Sequence, residues 1–232
     1  LSRIDRSSTT FTISDLFVIA EQLGFVWKLE KLCRNKALKA AVEKPENVKL
    51  FLNVDGNIIQ DKAFIQGFTN RKAMKAGVPA SDIVFEITER SDIENYQILQ
   101  QIMKHYADQG YEIALDDVGA GHSGLNRVVN TTPDYLKADI ELVRDIHKYK
   151  KKEIMMKLLL DYCNATGAIL IAEGIETVQE LECLHSLGVH YGQGFSLGKL
   201  ERAFGNISAE SEEILERLNG RKNILFLDIS GK

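Results

Sequence analysis

Cysteine is scarce in this sequence, and the three present, Cys33, Cys163 and Cys183, are odd in number, widely spaced and free of any C-x-x-C pattern. That excludes a disulfide framework and reads as core thiols in a reducing compartment. His105, His147, His185 and His190 show no ligand spacing, and no cysteine or paired histidine stands at the strand ends described below, which argues against a dedicated zinc site. Long apolar runs are missing too. None approaches the length of a membrane span and Leu1 does not begin a signal peptide, so the expected location is the cytoplasm, either free or as the cytoplasmic module of a larger protein. The chain also lacks an initiator Met, so upstream residues are expected. Finally there is no sustained basic stripe. The formal net charge of −4, from 29 Lys+Arg and 33 Asp+Glu, gives no electrostatic reason to expect a polynucleotide partner, and the short apolar runs give none to expect membrane insertion of this segment. A small anionic ligand remains open if cations receive it.

What is there is enough for a sizeable core: 232 residues, 44% of them hydrophobic, fit one ordinary globular domain. Short apolar runs alternate with helical patterns. Ser14 is placed to cap a helix over Asp15 to Leu23, ended by Gly24, and further helices are expected over 28–42, 62–75, 92–108, 151–166 and 177–187. The helix over 151–166 carries Ile154, Met155, Leu158 and Tyr162 on one side. Strands are expected over 48–54, 83–87, 113–116, 134–139, 168–172 and near 190–195, with a loop between Asp117 and Pro133. Strand then helix, repeated, predicts a parallel sheet with right-handed crossovers.

Each of these six strands bears a polar or charged residue near its C-terminal end: Asn53, Glu86, Asp116, Lys137, Glu173 and Gln193. An open doubly wound sheet gathers ligand groups at one switch point, whereas a closed barrel collects them from every strand around one mouth. The fold class expected is therefore α/β, a (β/α) TIM-type barrel, over 1–203. Six strands do not close an eight-stranded barrel, so the first strand or strands are expected before Leu1. Residues 204–232 form an extension, with a charged helix over 209–218 and a strand-like run at 223–229.

The centre of this pattern is YEIALDDVGAGHSGLN, Tyr111 to Asn126, where an apolar run ends in Asp116 and Asp117 and opens into glycines. Adjacent carboxylates repel unless a cation neutralises them, which points to a divalent metal; the simpler reading is a turn that closes the strand. Oxygen donors from several strand ends suit Mg²⁺ or Mn²⁺, and two such ions sharing Asp116 would activate a bridging water for attack on a phosphoryl group. Lys137 either orients that water or serves as a salt-bridge partner of the carboxylates.

Together with FEITER, PDYLKAD, IAEGIET and the late GQGF, this segment resembles the EAL-domain cyclic di-GMP phosphodiesterases, and the match runs from about Ile13 to Lys199. The resemblance implies a barrel that hydrolyses cyclic di-GMP to linear pGpG with two Mg²⁺ or Mn²⁺ ions. Carried over, Asn53, Glu86 and Asp116 ligate the first ion, Asp116, Asp117 and Glu173 serve the second, and Lys137 holds the catalytic water. Arg3, Asp139, Glu176 and Gln193 match substrate-side positions, and Glu89 matches the residue that braces the glycine loop. A homodimer through the faces near the Asp-pair loop is expected, as are fused sensor or GGDEF-type domains outside this chain.

The family takes another ligating glutamate from the motif Glu-Ala-Leu-x-Arg, and this chain opens Leu1-Ser2-Arg3, as though the motif were cut after its second residue. Val118 and Ala138 are also smaller than the residues usual there. An alternative function follows from the missing glutamate: a catalytically weak or inactive domain that acts as a cyclic di-GMP receptor. Trp27 reads as a core residue, Tyr191 as a possible stacking partner for guanine, and His122 as a solvated loop histidine.

Overall fold

The computed structural model describes residues 12–46, 48–87, 96–119, 124–198 and 209–219. Arg3, Glu89, His122 and the run at 223–229 lie outside the described residues. The chain divides between Glu112 and Ile113 into two compact units.

In the first unit, helix α1 (Ile13–Gln22) begins two residues earlier than Ser14 predicts. Thr12 is the cap, its hydroxyl accepting from the Asp15 backbone at 3.1 Å while Asp15 accepts from the Thr12 backbone at 2.7 Å. This reciprocal box satisfies two donors at once, which a lone Ser14 could not do. Helix α2 (Val26–Ala40) and strand β1 (Leu50–Val54) follow, then helix α3 (Phe68–Ala76) and strand β2 (Ile83–Ile87). Helix α3 starts six residues later than its expected 62–75. Asp61 turns the chain by accepting from the Ala63 backbone, and Gly67, at φ 68°, adopts a left-handed conformation before the helix begins. Helix α4 (Tyr96–Ala107) buries Leu99, Ile102, Met103 and Tyr106.

Strands β1 and β2 are parallel, with Asn53 opposite Glu86. Every residue of β2 is buried, as befits a parallel strand covered on both faces. The core of this unit is aromatic. Phe85 stacks on Tyr106 at 3.9 Å, Trp27 lies 4.9 Å from Phe64, and the guanidinium of Arg34 stands 5.2 Å from Trp27 and 5.1 Å from Phe85. Arg34 is buried and ion-paired to Glu30 one turn away, and it donates to Thr69 at 3.1 Å. Burial pushes the Tyr106 hydroxyl up to about 12.

The second unit continues the alternation: strand β3 (Glu112–Val118), helix α5 (Gly124–Val129), strand β4 (Tyr135–Ala138), helix α6 (Ile140–Val143), helix α7 (Lys150–Thr166), strand β5 (Ile169–Ala172), helix α8 (Val178–Leu187), strand β6 (Tyr191–Gly192) and helix α9 (Ala209–Asn219). β3 pairs with β4, β4 with β5 and β5 with β6, all parallel. Two elements depart from expectation. A helix, α5, occupies part of the stretch expected as loop. And the side of α7 bearing Ile154, Met155 and Leu158 faces outward, while Met156, Leu159, Leu160 and Cys163 form its buried side. The extension helix α9 packs on α8 through buried Leu215 and an Arg217–Glu182 ion pair.

Buried Glu180, in the first turn of α8, ties the loops of this unit together. Its carboxylate accepts from the backbone N–H groups of Asp145 (2.7 Å), Glu176 (3.0 Å) and Thr177 (2.9 Å). Burial pushes its pKa up, but these donors outweigh burial and hold it below the ordinary carboxylate range. A depressed folded-state pKa means stability that is present above the unfolded pKa, near about 4.3, and is lost as pH falls through the folded value. Glu180→Gln should therefore cost about 1–3 kcal/mol at neutral pH, and its deficit should shrink in acid. Urea unfolding of both proteins from pH 7 down to pH 3 checks this, and parallel stability curves across that range would refute the assignment.

Candidate active site

Residues adjacent on a regular strand point to opposite faces of the sheet, so Asp116 and Asp117 could not serve one site from an ordinary strand. β3 solves this with a bulge. Leu115 pairs with Leu136 and Val118 with Ala138, so two residues, Asp116 and Asp117, stand opposite the single residue Lys137. Asp117 carries the distortion at φ 57°, in the left-handed region unfavourable to a non-glycine residue. The result is that carboxylate oxygens of Asp116, Asp117 and Glu173 lie within 4.8 Å of one another.

Lys137 supplies the charge that lets this cluster exist in a folded chain. Its ammonium, 1% exposed, donates to Asp116 Oδ1 at 3.0 Å and sits 2.5 Å from Glu173 Oε1. Two carboxylates placed this close to a buried ammonium offset part of the cost of burying all three groups, and removing one partner would leave the others uncompensated. Glu173 is held from the other side by Gln193, whose amide donates to Glu173 Oε1 at 2.9 Å. The other amide atom, Gln193 Oε1, is buried without a partner among the described residues.

The loops that carry these groups are fixed by close backbone approaches. Gly174 has φ 68°, and a Cβ there would lie 2.3 Å from Ile140 Cγ1; at Gly194 a Cβ would lie 2.2 Å from the Ile175 carbonyl oxygen. Backbone bonds from Ile175 to Gln193 (3.0 Å) and from Ser196 to Ile175 (3.0 Å) then lock the β5 and β6 loops together. No side chain larger than hydrogen fits at either glycine.

Of the site residues expected from sequence, Asp116, Asp117, Lys137, Glu173 and Gln193 meet in the second unit. Asn53, exposed, and Glu86, buried, face each other across the β1–β2 pair of the first unit. Asp139 is buried and caps α6 through a 2.7 Å bond from the Glu141 backbone, while Glu176 is exposed with its backbone pinned by Glu180. The sequence did not anticipate Gly174, Gly194 or Glu180 as positioning residues. For Glu180, the signal was present in the capping-box spacing Thr177-x-x-Glu180.

Residues 1–199 match the EAL domain family. This chain belongs to the EAL domain family. Among its curated relatives, cyclic di-GMP phosphodiesterase PdeR of Escherichia coli is 28% identical over 192 residues, covering 80% of this chain and 28% of PdeR. Cyclic di-GMP phosphodiesterase PdeA of Borreliella burgdorferi is 26% identical over 192 residues, covering 81% of this chain and 28% of that protein. The EAL chain thus spans just over a quarter of the length of these two relatives. Among solved structures, a c-di-GMP-bound standalone EAL protein from Vibrio cholerae aligns with a TM-score of 0.71 at 26% identity, covering 80% of this chain and 78% of that one. The calcium/cy-diGMP complex of Klebsiella pneumoniae BlrP1 aligns with a TM-score of 0.70 at 28% identity, covering 75% and 44%. The fold class is accordingly that of the EAL domains, α/β and TIM-barrel-like.

The oxygen donor set fits a hard divalent cation. Three carboxylates against one ammonium leave the cluster net negative, and it contains no sulfur or imidazole ligand. The strain at Asp117 gives a test. Asp117→Gly and Asp117→Ala remove the same charge, but only glycine relaxes the left-handed backbone, so the glycine variant should be the more stable by about 1 kcal/mol. Both should bind Mn²⁺ more weakly than the parent chain by calorimetry. Equal melting temperatures for the two variants would rule out stored strain at this position.

Proposed function

We propose that this EAL domain hydrolyses cyclic di-GMP to linear pGpG in a reaction dependent on two Mg²⁺ or Mn²⁺ ions. The observation that carries the reading is the Asp116–Asp117–Glu173 cluster clamped by Lys137, produced by a bulge that has no purpose in a strand that is merely structural. When bound, the ions supply Lewis acidity that makes a water nucleophilic at neutral pH and offsets charge on the phosphoryl oxygens. Asp116, Asp117 and Glu173 would hold them, with Asn53 and Glu86 keeping the ligand roles the resemblance gives them.

The chain's own residues do the rest. Lys137, fixed between Asp116 and Glu173, orients the attacking water and keeps the two carboxylates at a set separation. Gln193 prevents Glu173 from swinging away, so its ligand oxygen is preorganised. Arg3, Asp139, Glu176 and Gln193 are assigned to the substrate side and Glu89 to bracing the glycine loop.

The test is chromatography of cyclic di-GMP after incubation with the purified protein in Mg²⁺ and, separately, Mn²⁺. The expected product is pGpG, with Asp116→Asn lowering turnover by more than about a hundredfold. Intact nucleotide from a folded protein, together with calorimetric binding of cyclic di-GMP, would replace the enzyme by a receptor.

The same reading includes a symmetric homodimer near the Asp-pair loop. The outward stripe of α7, Ile154, Met155 and Leu158, is bounded by exposed Lys151 at one end and exposed Asp161 at the other. Two antiparallel copies would set Ile154 against Leu158 and Lys151 against Asp161, twice over, which is the self-complementarity a two-fold interface needs. Tyr162 donates to the Val128 carbonyl at 3.0 Å and so places α5, with exposed Leu125 and Val129, beside this stripe. Sedimentation velocity should give a dimer for the parent chain and a monomer for Ile154→Glu/Leu158→Glu. A monomeric parent at micromolar concentration would sink this part of the proposal.

A further inference from the structure

The sequence shows no sustained run of basic residues, yet the first unit assembles a basic surface from two helices. On α2, Lys28, Lys36 and Lys39 are exposed and Lys31 is half-buried; on α3, Arg71, Lys72 and Lys75 are exposed. The single carboxylate on either helix is Glu30, which is buried and bonded to buried Arg34, so that pair cancels. The helices are joined by an aromatic seam that Lys31 and Lys72 flank. Lys31 stands 5.5 Å from the Trp27 ring, Lys72 stands 5.8 Å from the Phe68 ring, and the two rings are 5.6 Å apart.

Among the described residues, several exposed lysines elsewhere pair with a carboxylate within one helical turn. Lys104 pairs with Asp108, Lys148 with Asp145, Lys150 with Glu153 and Lys157 with Asp161. Among the described residues, no ion pair engages any cation of the α2–α3 surface other than Arg34. Most of their neighbours at helical spacing are like charges: Lys28 and Lys31, Lys36 and Lys39, Lys72 and Lys75 are three apart, and Arg71 and Lys75 four apart, while exposed Glu43 lies four residues after Lys39, just past the end of α2. Such like-charge pairs repel and destabilise the helices that bear them. In a protein with formal charge −4, this concentration of uncompensated cations is a local reversal of the overall sign, and an anionic partner relieves it.

We propose that the α2–α3 surface docks peripherally on an anionic lipid bilayer. The residues between the cations favour lipid over a polynucleotide. Leu32, 52% exposed, lies four residues from both Lys28 and Lys36, and Met74, 75% exposed, lies beside Lys75. Aliphatic side chains framed by lysine enter the headgroup boundary while the ammonium groups stay among lipid phosphates. Single-stranded nucleic acid would instead call for open stacking platforms, whereas Trp27 is buried and Lys28 covers Phe25 at 4.2 Å. Six of the seven cations are lysine, point charges suited to a fluid array of headgroups rather than to the bidentate geometry that arginine reads. Among the described residues no helix is long and apolar enough to cross a membrane, so the contact is one of surface, not insertion.

The full chain is tested by co-sedimentation with vesicles of phosphatidylcholine alone and of phosphatidylcholine mixed with phosphatidylglycerol. The parent protein should pellet with the mixed vesicles only, and high salt should release it. Lys28→Glu/Lys36→Glu/Lys75→Glu should lower partitioning by at least about tenfold. The control, Lys104→Glu/Lys148→Glu/Lys150→Glu, makes the same change in net charge and should bind as the parent does. Circular dichroism verifies that every variant is folded, and because no nucleotide is involved, the outcome is independent of the hydrolytic reading. Failure of the parent to pellet, an equal loss in the control, or tighter binding to a single-stranded RNA oligonucleotide than to vesicles would each overturn the proposal.

Discussion

A buried ammonium between two buried carboxylates is the constraint on which the second unit depends. Lys137, Asp116 and Glu173 are each almost wholly excluded from solvent, and each offsets part of the cost of burying the others. They come from β3, β4 and the residue that follows β5, so their meeting ties the ends of three neighbouring strands together. The register in turn is not regular: two residues of β3 must span one residue of β4 for Asp117 to join the group. The left-handed backbone at Asp117 is the local cost of that geometry, and Gly174 and Gly194 are its counterparts in the loops beyond β5 and β6, where only hydrogen fits in place of a side chain. Of the two described non-glycine residues with a left-handed backbone, Asp117 and Asp145, the first lies within the carboxylate cluster, where the bulge requires it.

Much of this was legible in the sequence because parallel strands announce themselves as short apolar runs and helices as longer periodic ones. The polar residue at each strand end stood out against those runs, and four of these six, Asp116, Lys137, Glu173 and Gln193, meet in one cluster together with Asp117. What was not legible has identifiable reasons. Helix α5 is a single short stretch, Gly124–Val129, between glycines and asparagine, too brief for a periodic signal. The late start of α3 depends on the turn at Asp61 and the backbone sign at Gly67, neither of which periodicity reports. The bulge at Asp117 is invisible to any alternation argument, which would have sent the two carboxylates to opposite faces.

Helix α7 shows how an apolar stripe misleads in a different way. Ile154, Met155 and Leu158 recur at helical spacing, but so do Met156, Leu159, Leu160 and Cys163 on the other side, and only the second set is buried. A helix apolar on two sides leaves one stripe, here Ile154, Met155 and Leu158, exposed. Sequence periodicity identifies both stripes and cannot say which one belongs to the core.

Charge poses the complementary problem, because a sum over the chain conceals segregation. The slight acidic excess argues against anionic partners, yet the carboxylates and the lysines are not mixed. In the second unit, Lys148, Lys150 and Lys157 lie within a turn of the carboxylates they pair with, and three further carboxylates gather in the strand-end cluster. In the first, α2 and α3 hold lysine and arginine without exposed counter-charges, at spacings that make neighbours repel. A helix pair could lower its own energy by carboxylates three or four residues from its lysines, as at Lys104–Asp108, Lys150–Glu153 and Lys157–Asp161. That it does not do so, while leaving Leu32 and Met74 in water between the cations, is the pattern of a surface whose counter-charge arrives from outside the molecule.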